Sequence, residues 1–246
     1  MTRGVLLFAE NSDINYVQQA ETLARSIKHN GNVQVTLVTS DTVDSEAFDT
    51  IIHVPKSEGT WKIYNRINAY EISPYDETIV MDVDMFCPVD LNNYFDLLED
   101  EDLWFTTKVY TFRNTPITSN YYRRSIAENG LPNTYVAMYY FKKGFKAQKF
   151  FETLKEVHNN WQEYYVSVTP ANTQKWASID ISTSIALHLL DYSITEYDIG
   201  FVHLKPRVHD CDLPKDIHYS NGNLFIGNFL QNRVVHYVEG FDNVLC

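Results

Sequence analysis

An apolar run that ends in two aspartates, one residue apart, is the feature that most constrains the fold of this chain. Residues Thr78–Met85 have the sequence TIVMDVDM, so Asp82 and Asp84 follow the apolar residues directly. A strand buried in an α/β sheet is a nearly continuous apolar run, and its carboxyl end opens onto the ligand crevice. If the strand continues through the pair, both carboxylates point the same way. If the chain bends there, they can surround an ion, and two carboxylates in such a place suit Mg²⁺ or Mn²⁺.

Two other Asp-x-Asp pairs occur, and neither follows an apolar run. Asp100 and Asp102 belong to an acidic turn, which is typical of a solvated face. Asp210 and Asp212 lie in a loop that contains histidine and proline. The sequence therefore favours the first pair as a metal site, over the alternative that Asp82 only caps the next turn.

The charge balance limits the partners. The 246 residues carry a formal net charge of −12 at pH 7, and no basic run is longer than two residues. Nucleic acid is disfavoured as a partner because binding it requires a positive surface. An acidic protein that binds an anionic substrate usually needs a cation between the two, which agrees with a metal site.

The cysteine content and the lengths of the apolar stretches indicate in which cellular compartment we expect the protein. Cys87, Cys211 and Cys246 are too few for a disulfide framework and match no zinc-binding spacing, so we expect a reducing, cytoplasmic setting. The first residues lack the pattern of a signal peptide. No stretch reaches the roughly 18 apolar residues of a membrane span, so no transmembrane segment is expected.

The chain opens with a strand, a helix and a second strand. Apolar residues mark strands at Gly4–Ala9 and Val33–Val38, and helical periodicity marks Ile14–His29. A strand–helix–strand opening predicts a Rossmann-like, nucleotide-binding half. The glycine fingerprints of dinucleotide-binding folds and of P-loops are both absent.

The remaining pattern predicts an α/β fold in which helices flank a mixed central sheet. We expect one domain over residues 1–246, with a nucleotide half to about residue 84 and an acceptor half over about 85–246. Further helices are predicted at Trp61–Ile72, Val89–Leu98, Ser119–Glu128, Phe145–Trp161 and Ser178–Leu190. Further strands are predicted at Ile51–Val54, Leu103–Val109, Tyr135–Phe141, Ser193–Tyr197, Leu224–Ile226 and Arg233–Tyr237.

Once these elements are placed, their order resembles that of a GT-A glycosyltransferase. The resemblance is to the retaining family of glycogenin and the bacterial lipooligosaccharide galactosyltransferases. It rests on the first strand-to-helix turn (residues 8–16), a basic helix (66–70), the Asp-x-Asp strand (79–84), Asp180-Ile181 and the late strand 234–237. The family's Asn-Ser-Gly segment and its Gly-x-x-Lys-Pro-Trp tail are absent, and Ile181 replaces its glutamine.

The resemblance implies a GT-A fold and a metal-dependent transfer of a sugar from a UDP-sugar donor, with retention. The acceptor would be a glycan, a lipid-linked molecule or a protein. The alternative is a sugar- or nucleotide-binding module without catalysis, or a nucleotidyltransferase of similar fold.

The resemblance also implies roles for individual residues. Asp82, Asp84 and His236 would hold Mn²⁺ or Mg²⁺, with His203 as the rival to His236. Asp180 would be catalytic by contacting the donor sugar, unless it only caps its helix. The donor would bind at Ala9, Glu10, Asn11, Tyr16, Lys62, Arg66 and Val83. Tyr16 could instead belong to the edge of the core, and Lys62 and Arg66, four residues apart, could form a solvated helix face.

Overall fold

The structure is a computed structural model. It describes residues 1–56, 64–118, 123–169, 174–204, 217–220 and 223–237. The strands are β1 (Arg3–Phe8), β2 (Gln34–Thr39), β3 (Thr50–His53), β4 (Glu77–Met81), β5 (Met85–Phe86), β6 (Leu103–Thr106), β7 (Val109–Tyr110), β8 (Tyr135–Lys142), β9 (Phe201–His203), β10 (Ile217–Ser220), β11 (Asn223–Ile226), β12 (Phe229–Leu230) and β13 (Val234–His236). The helices are α1 (Tyr16–Gly31), α2 (Ala69–Ile72), α3 (Asn92–Leu97), α4 (Arg124–Ala127), α5 (Phe145–Asn159), α6 (Trp161–Val168) and α7 (Ile179–Leu189), and Tyr64–Asn68 form a 3₁₀ helix before α2.

A six-stranded mixed sheet forms the centre of the described molecule, in the order β3-β2-β1-β4-β8-β6. Strands β3, β2, β1 and β4 are parallel, whereas β8 runs antiparallel to both β4 and β6. The first three elements, β1, α1 and β2, form the predicted strand–helix–strand unit. The α/β class and the mixed sheet are confirmed.

Successive residues of the central strands pack on opposite faces of this sheet. Val5 and Leu7 belong to the apolar cluster that includes the buried face of α1. Leu6 and Val80 belong to the cluster that includes α5 and α7. This alternation follows from the two-residue period of a strand, and covering both faces explains why β1 and β4 are apolar throughout.

Local signals fix the ends of α1. The Asn15 side chain accepts a hydrogen bond from the backbone N–H of Gln18 at 3.0 Å, which caps the first turn. Asn32 ends the helix in the left-handed conformation, with φ of 48°, and its N–H donates to the Lys28 carbonyl. The predicted helix Ile14–His29 is confirmed with both ends shifted by two residues.

A smaller four-stranded sheet, in the order β5-β13-β9-β7, lies beyond the carboxyl end of β4. The late strand β13 pairs with β5 in antiparallel register and with β9 in parallel register. A third sheet, β10-β11-β12, is an antiparallel meander. The small sheet therefore joins a segment from the middle of the chain to one near its end.

Several predicted elements need correction. Ser193–Tyr197 is not a strand; side chains from other elements anchor this irregular segment instead, because Trp104 Nε1 donates to the Thr195 carbonyl and the Tyr197 hydroxyl donates to Glu101. The nearby strand is β9. The helix predicted over Phe145–Trp161 is divided at Asn160, whose φ and ψ of −110° and 35° separate α5 from α6.

Three other predicted elements are divided in the structure or extend beyond the described residues. Within Trp61–Ile72 the chain forms the 3₁₀ helix and α2, and residues 57–63 lie outside the described residues. Within Ser119–Glu128 it forms α4, and residues 119–122 also lie outside them. The strand predicted over Leu103–Val109 is divided between β6 and β7. None of the helices in the described ranges has the length and apolar character of a membrane span.

Candidate metal centre

The Asp82–Asp84 segment is the turn by which the chain leaves the large sheet and enters the small one. β4 ends at Met81, the Asp82 N–H donates to the Ala137 carbonyl at 2.8 Å, and β5 begins at Met85. Val83, between the two aspartates, is buried in the core, whereas both carboxylates remain partly exposed. The chain thus bends at the strand end, which is the arrangement in which two carboxylates can surround an ion.

Strand β13 brings His236 to the same place. His236 is paired with Met85 in the register of the small sheet, and the Tyr237 N–H donates to the Asp84 carbonyl at 3.0 Å. The Nε2 atom of His236 lies 3.0 Å from Oδ1 of Asp84. One ligand atom each from Asp82, Asp84 and His236 lies within 4.8 Å of the other two.

The donor atoms of this group fit a divalent cation. His236 is 4% exposed, and neither of its ring nitrogens makes a hydrogen bond within the described residues. Its short contact with Asp84 lacks hydrogen-bond geometry. A buried polar atom without a hydrogen bond is unfavourable, and coordination would satisfy it. The two carboxylates suit Mn²⁺ or Mg²⁺, and the imidazole nitrogen favours Mn²⁺ of the two, because Mg²⁺ prefers oxygen ligands.

His203, the rival candidate, lies beside His236 rather than within the group. The two residues are in register on the parallel strands β9 and β13. Their rings stack with centroids 4.8 Å apart and planes 13° apart. Among the described residues, the histidine that the structure brings to the two aspartates is therefore His236.

Arg66 is buried, contrary to the alternative of a solvated helix face. Its side chain is 6% exposed, and its guanidinium donates to Asp82 Oδ1 through Nη1 and to the Val136 carbonyl, at 2.6 Å, through Nη2. Burial is the largest single influence and by itself would lower the pKa of Arg66, but Asp82, Tyr139 and Asp180 together outweigh it and the pKa is raised. A permanent positive charge therefore lies directly beside Asp82.

Asp180 lies in the first turn of α7 and is held by two other elements. Its Oδ1 accepts a hydrogen bond from the Val136 N–H at 2.8 Å, and its Oδ2 lies 3.3 Å from Nη1 of Arg123. The N-cap residue is Ser178, so the Asp180 side chain does not cap the helix. Sequence reasoning missed Arg123, because an isolated Arg123-Arg124 pair has no pattern that would mark one of its members as buried.

The predicted nucleotide-binding turn lies at the same edge of the sheet. Leu7 of β1 is paired with Met81 of β4, so the residues that follow them are neighbours. The Ala9 N–H donates to the Val38 carbonyl at 3.0 Å. Asn11 bonds Asp41 through its N–H at 2.7 Å and accepts from the Val17 N–H at 3.0 Å. These bonds fix the loop that contains Ala9, Glu10 and Asn11.

Tyr16 and Lys62 are the predicted donor-binding residues that follow this loop in the sequence and precede Arg66. Tyr16 is the first residue of α1. Its partly buried side chain packs against the core, as the core-edge alternative predicted. Lys62 lies outside the described residues.

The chain matches no protein-family model and no curated protein sequence. Comparison with solved structures does find similar chains. Mouse xyloside xylosyltransferase 1 is 9% identical with a TM-score of 0.56, and the match covers 99% of both chains. The bifunctional glycosyltransferase WbbM is 12% identical with a TM-score of 0.54, and the match covers 99% of this chain and 49% of that one. The chain has a GT-A glycosyltransferase fold.

The predicted fold is thereby confirmed. At sequence identities this low, the comparison shows a similar fold alone. The glycosyltransferase GlyE of Streptococcus pneumoniae also matches, with 16% identity and a TM-score of 0.49 over 79% of this chain. The match covers 45% of GlyE, so the chain spans less than half the length of that protein.

Proposed function

We propose that this protein is a metal-dependent glycosyltransferase that moves a sugar from a UDP-sugar to an acceptor, with retention of configuration. One observation carries the proposal: three potential ligands converge at the carboxyl end of β4, and the ring nitrogens of the buried one, His236, make no hydrogen bond to any residue that the structure describes. In open α/β sheets, ligands bind at this edge.

Asp82, Asp84 and His236 would hold Mn²⁺ or Mg²⁺. When bound, such an ion neutralises negative charge that develops on the diphosphate leaving group. The acidic protein and the anionic donor would otherwise repel each other, since the chain has a net charge of −12.

Arg66 orients Asp82 and adds positive charge behind the ligands. Its guanidinium bonds one oxygen of Asp82 and the Val136 carbonyl, so the carboxylate cannot rotate freely. The second oxygen of Asp82 is then available to face the crevice. A buried, pre-oriented charge stabilises an anion more strongly than a charge in water does, because the local dielectric constant is lower.

The donor nucleotide would occupy the edge formed by β1 and β4. The loop Ala9–Asn11 and Tyr16 would hold the uracil and ribose, and the backbone of Val83 would lie beside the diphosphate. Lys62, four residues before Arg66 in the sequence, would add positive charge near the diphosphate. In this arrangement residues 1 to about 84 form the nucleotide half, and about 85–246 provide Asp180 and the acceptor side.

Asp180 would bind the donor sugar. Its carboxylate is anchored by Val136 and Arg123, but its side chain is 29% exposed. An anchored carboxylate with free lone pairs can accept hydrogen bonds from sugar hydroxyls. The acceptor would be a glycan, a lipid-linked molecule or a protein.

Release of UDP from a panel of UDP-sugars, measured with Mn²⁺ and with EDTA, tests the proposal. We expect turnover of at least one donor with Mn²⁺, slow hydrolysis included, and none with EDTA. Asp84→Asn should lose this turnover, whereas Asp100→Asn, in an exposed Asp-x-Asp pair, should retain it. If the protein binds UDP and Mn²⁺ but turns over no donor, a binding module without catalysis is the better description. Metal-dependent release of pyrophosphate from nucleoside triphosphates would instead indicate a nucleotidyltransferase.

A further inference from the structure

We propose that Arg123 is a positioning residue, which fixes the carboxylate of Asp180 so that it accepts hydrogen bonds from the donor sugar. The inference rests on the proposed glycosyltransferase function and adds to it a residue outside the three metal ligands and the predicted donor loop. It follows from the contacts of Arg123, from those of Asp180 and from the strand end that both residues share.

Arg123 uses each of its three nitrogens. Nε donates to Asn133 Oδ1 at 2.9 Å, Nη2 donates to the Thr134 carbonyl, and Nη1 faces Asp180 Oδ2 at 3.3 Å. The guanidinium carbon lies 4.1 Å from the centre of the Tyr135 ring. The side chain is 5% exposed. A guanidinium held on three edges and one face has a fixed plane, so it presents a directed donor to Asp180.

Asp180 is held at both oxygens. Oδ2 meets Arg123, and Oδ1 accepts from the Val136 N–H at 2.8 Å. With one protein contact on each oxygen, the orientation of the carboxylate is set before any ligand arrives. Each oxygen keeps one further lone pair, and the exposed part of the side chain allows a hydroxyl group to reach it. Without Arg123, the contact at Oδ1 is the one that the described residues would still make to this carboxylate.

The arrangement repeats the one at Asp82. Arg66 also bonds a carboxylate and a backbone carbonyl, that of Val136, and its guanidinium carbon lies 6.0 Å from the Tyr139 ring centre. Val136 therefore contacts both systems, through its carbonyl to Arg66 and through its N–H to Asp180. Two buried arginines thus fix two carboxylates to one end of β8, and Arg123 sets where Asp180 stands relative to the metal ligands.

Kinetics of Arg123→Met and Arg123→Lys test the inference, with Arg3→Met as the matched control. Arg3 also pairs with carboxylates, Glu77 and Asp96, and lies near the face of Phe95, but it lies at the opposite end of β1 from the candidate site. We expect Arg123→Met to lower kcat by about 10²-fold, because a displaced catalytic group costs about that much, with KM for the donor changed by less than about threefold. Arg123→Lys should recover part of the loss, and Arg3→Met should leave kcat unchanged even if it lowers Tm.

A double variant shows whether Arg123 acts through Asp180. If it does, Arg123→Met added to Asp180→Asn should cause little further loss, because the group it positions is already disabled. Losses that multiply in the double variant, or a kcat for Arg123→Met that matches that of Arg3→Met, would overturn the inference.

A crystal structure of the Arg123→Met variant decides the question without any assay. We expect the Asp180 carboxylate to have rotated about its Oδ1 contact with the Val136 N–H, so that Oδ2 has left its original place. A carboxylate in its original place would reject the positioning role, whatever the kinetics. Conversely, if the unmodified protein turns over no donor, the proposed function fails, and this structure still decides what Arg123 does to Asp180.

Discussion

The imidazole rings of His203 and His236 stack face to face, with centroids 4.8 Å apart and an interplanar angle of 13°. Both residues are buried, and both lie at the ends of adjacent parallel strands. Only His236 reaches the two aspartates closely enough to complete a group of three ligand atoms. The two histidines should therefore differ sharply in their effect on metal binding.

We predict that His236→Gln weakens Mn²⁺ binding by about 100-fold or more, because loss of a residue that merely hydrogen-bonds a metal ligand already costs 10- to 100-fold. His203→Phe keeps an aromatic ring against His236 and should weaken binding by less than about tenfold. Free Mn²⁺ measured by electron paramagnetic resonance during titration gives both values. A larger effect for His203→Phe than for His236→Gln would transfer the ligand role to His203.

Metal and nucleotide should stabilise the fold together. With the Mn²⁺–UDP complex, taken as one ligand, near 100 times its dissociation constant, linkage predicts about 2.7 kcal/mol, or a rise in Tm of about 5–10 °C for a protein of this size. EDTA or Asp84→Asn should abolish the rise, and Asp100→Asn should not. Asp84 is the better residue to change, because Asp82 also neutralises the buried Arg66. Thermal unfolding followed by circular dichroism measures the shift, and an unchanged rise in Asp84→Asn would contradict the assigned ligand.

Gly4 provides a test of packing in the central sheet. A Cβ atom added to Gly4 would lie 2.2 Å from the Tyr75 ring, which is buried and whose hydroxyl bonds Thr36 at 2.7 Å. Gly4→Ala should therefore lower the free energy of unfolding by about 1–3 kcal/mol. Gly144→Ala is the control, because nothing lies within 4 Å of its added Cβ, and its effect should stay within about 0.5 kcal/mol. Urea unfolding gives both numbers, and equal effects would show that the ring of Tyr75 moves aside at little cost.

His158 should make stability depend on pH. Burial lowers the pKa of His158 below its ordinary value, so the unfolded chain takes up this proton at a higher pH than the folded chain does. The free energy of unfolding should be greatest above about pH 6.5 and should fall, by at most about 1.4 kcal/mol per pH unit from this group, as the pH drops towards the folded pKa. His158→Gln should reduce the slope between pH 7 and pH 5. His188→Gln, at an exposed position on α7, should not, and urea unfolding across this pH range distinguishes the two.

The parts of the fold that depend on local signals could be predicted from the sequence. The apolar runs of β1 and β4 and the periodicity of α1 are contained within single segments, and Asn15 and Asn32 act within one helical turn of the ends of α1. The same holds for the Asp82–Asp84 turn, where an apolar strand meets two carboxylates. Each of these features has its cause within about ten residues, so the sequence pattern carries it.

Features that depend on pairing between distant segments could not be derived in this way. His236 meets Asp84 only because β13 pairs with β5, and it was the family resemblance that suggested the match. The Arg123–Asp180 contact joins two helices through the end of β8, and nothing in the neighbourhood of either residue indicates it. Ser193–Tyr197 has partly buried Ile194 and Tyr197, which gives a strand-like pattern, but the segment pairs with no strand in the described part of the chain.

The residues of the candidate metal centre are synthesised at different times during translation. Asp82 and Asp84 leave the ribosome long before His236, and the strand that carries His236 also supplies the partner of β5. A nascent chain that stops short of residue 236 can already form β1, α1 and the first carboxylates, but it lacks the imidazole of the candidate centre. Premature termination late in translation should therefore give products without a complete metal centre, however much of the large sheet they have folded.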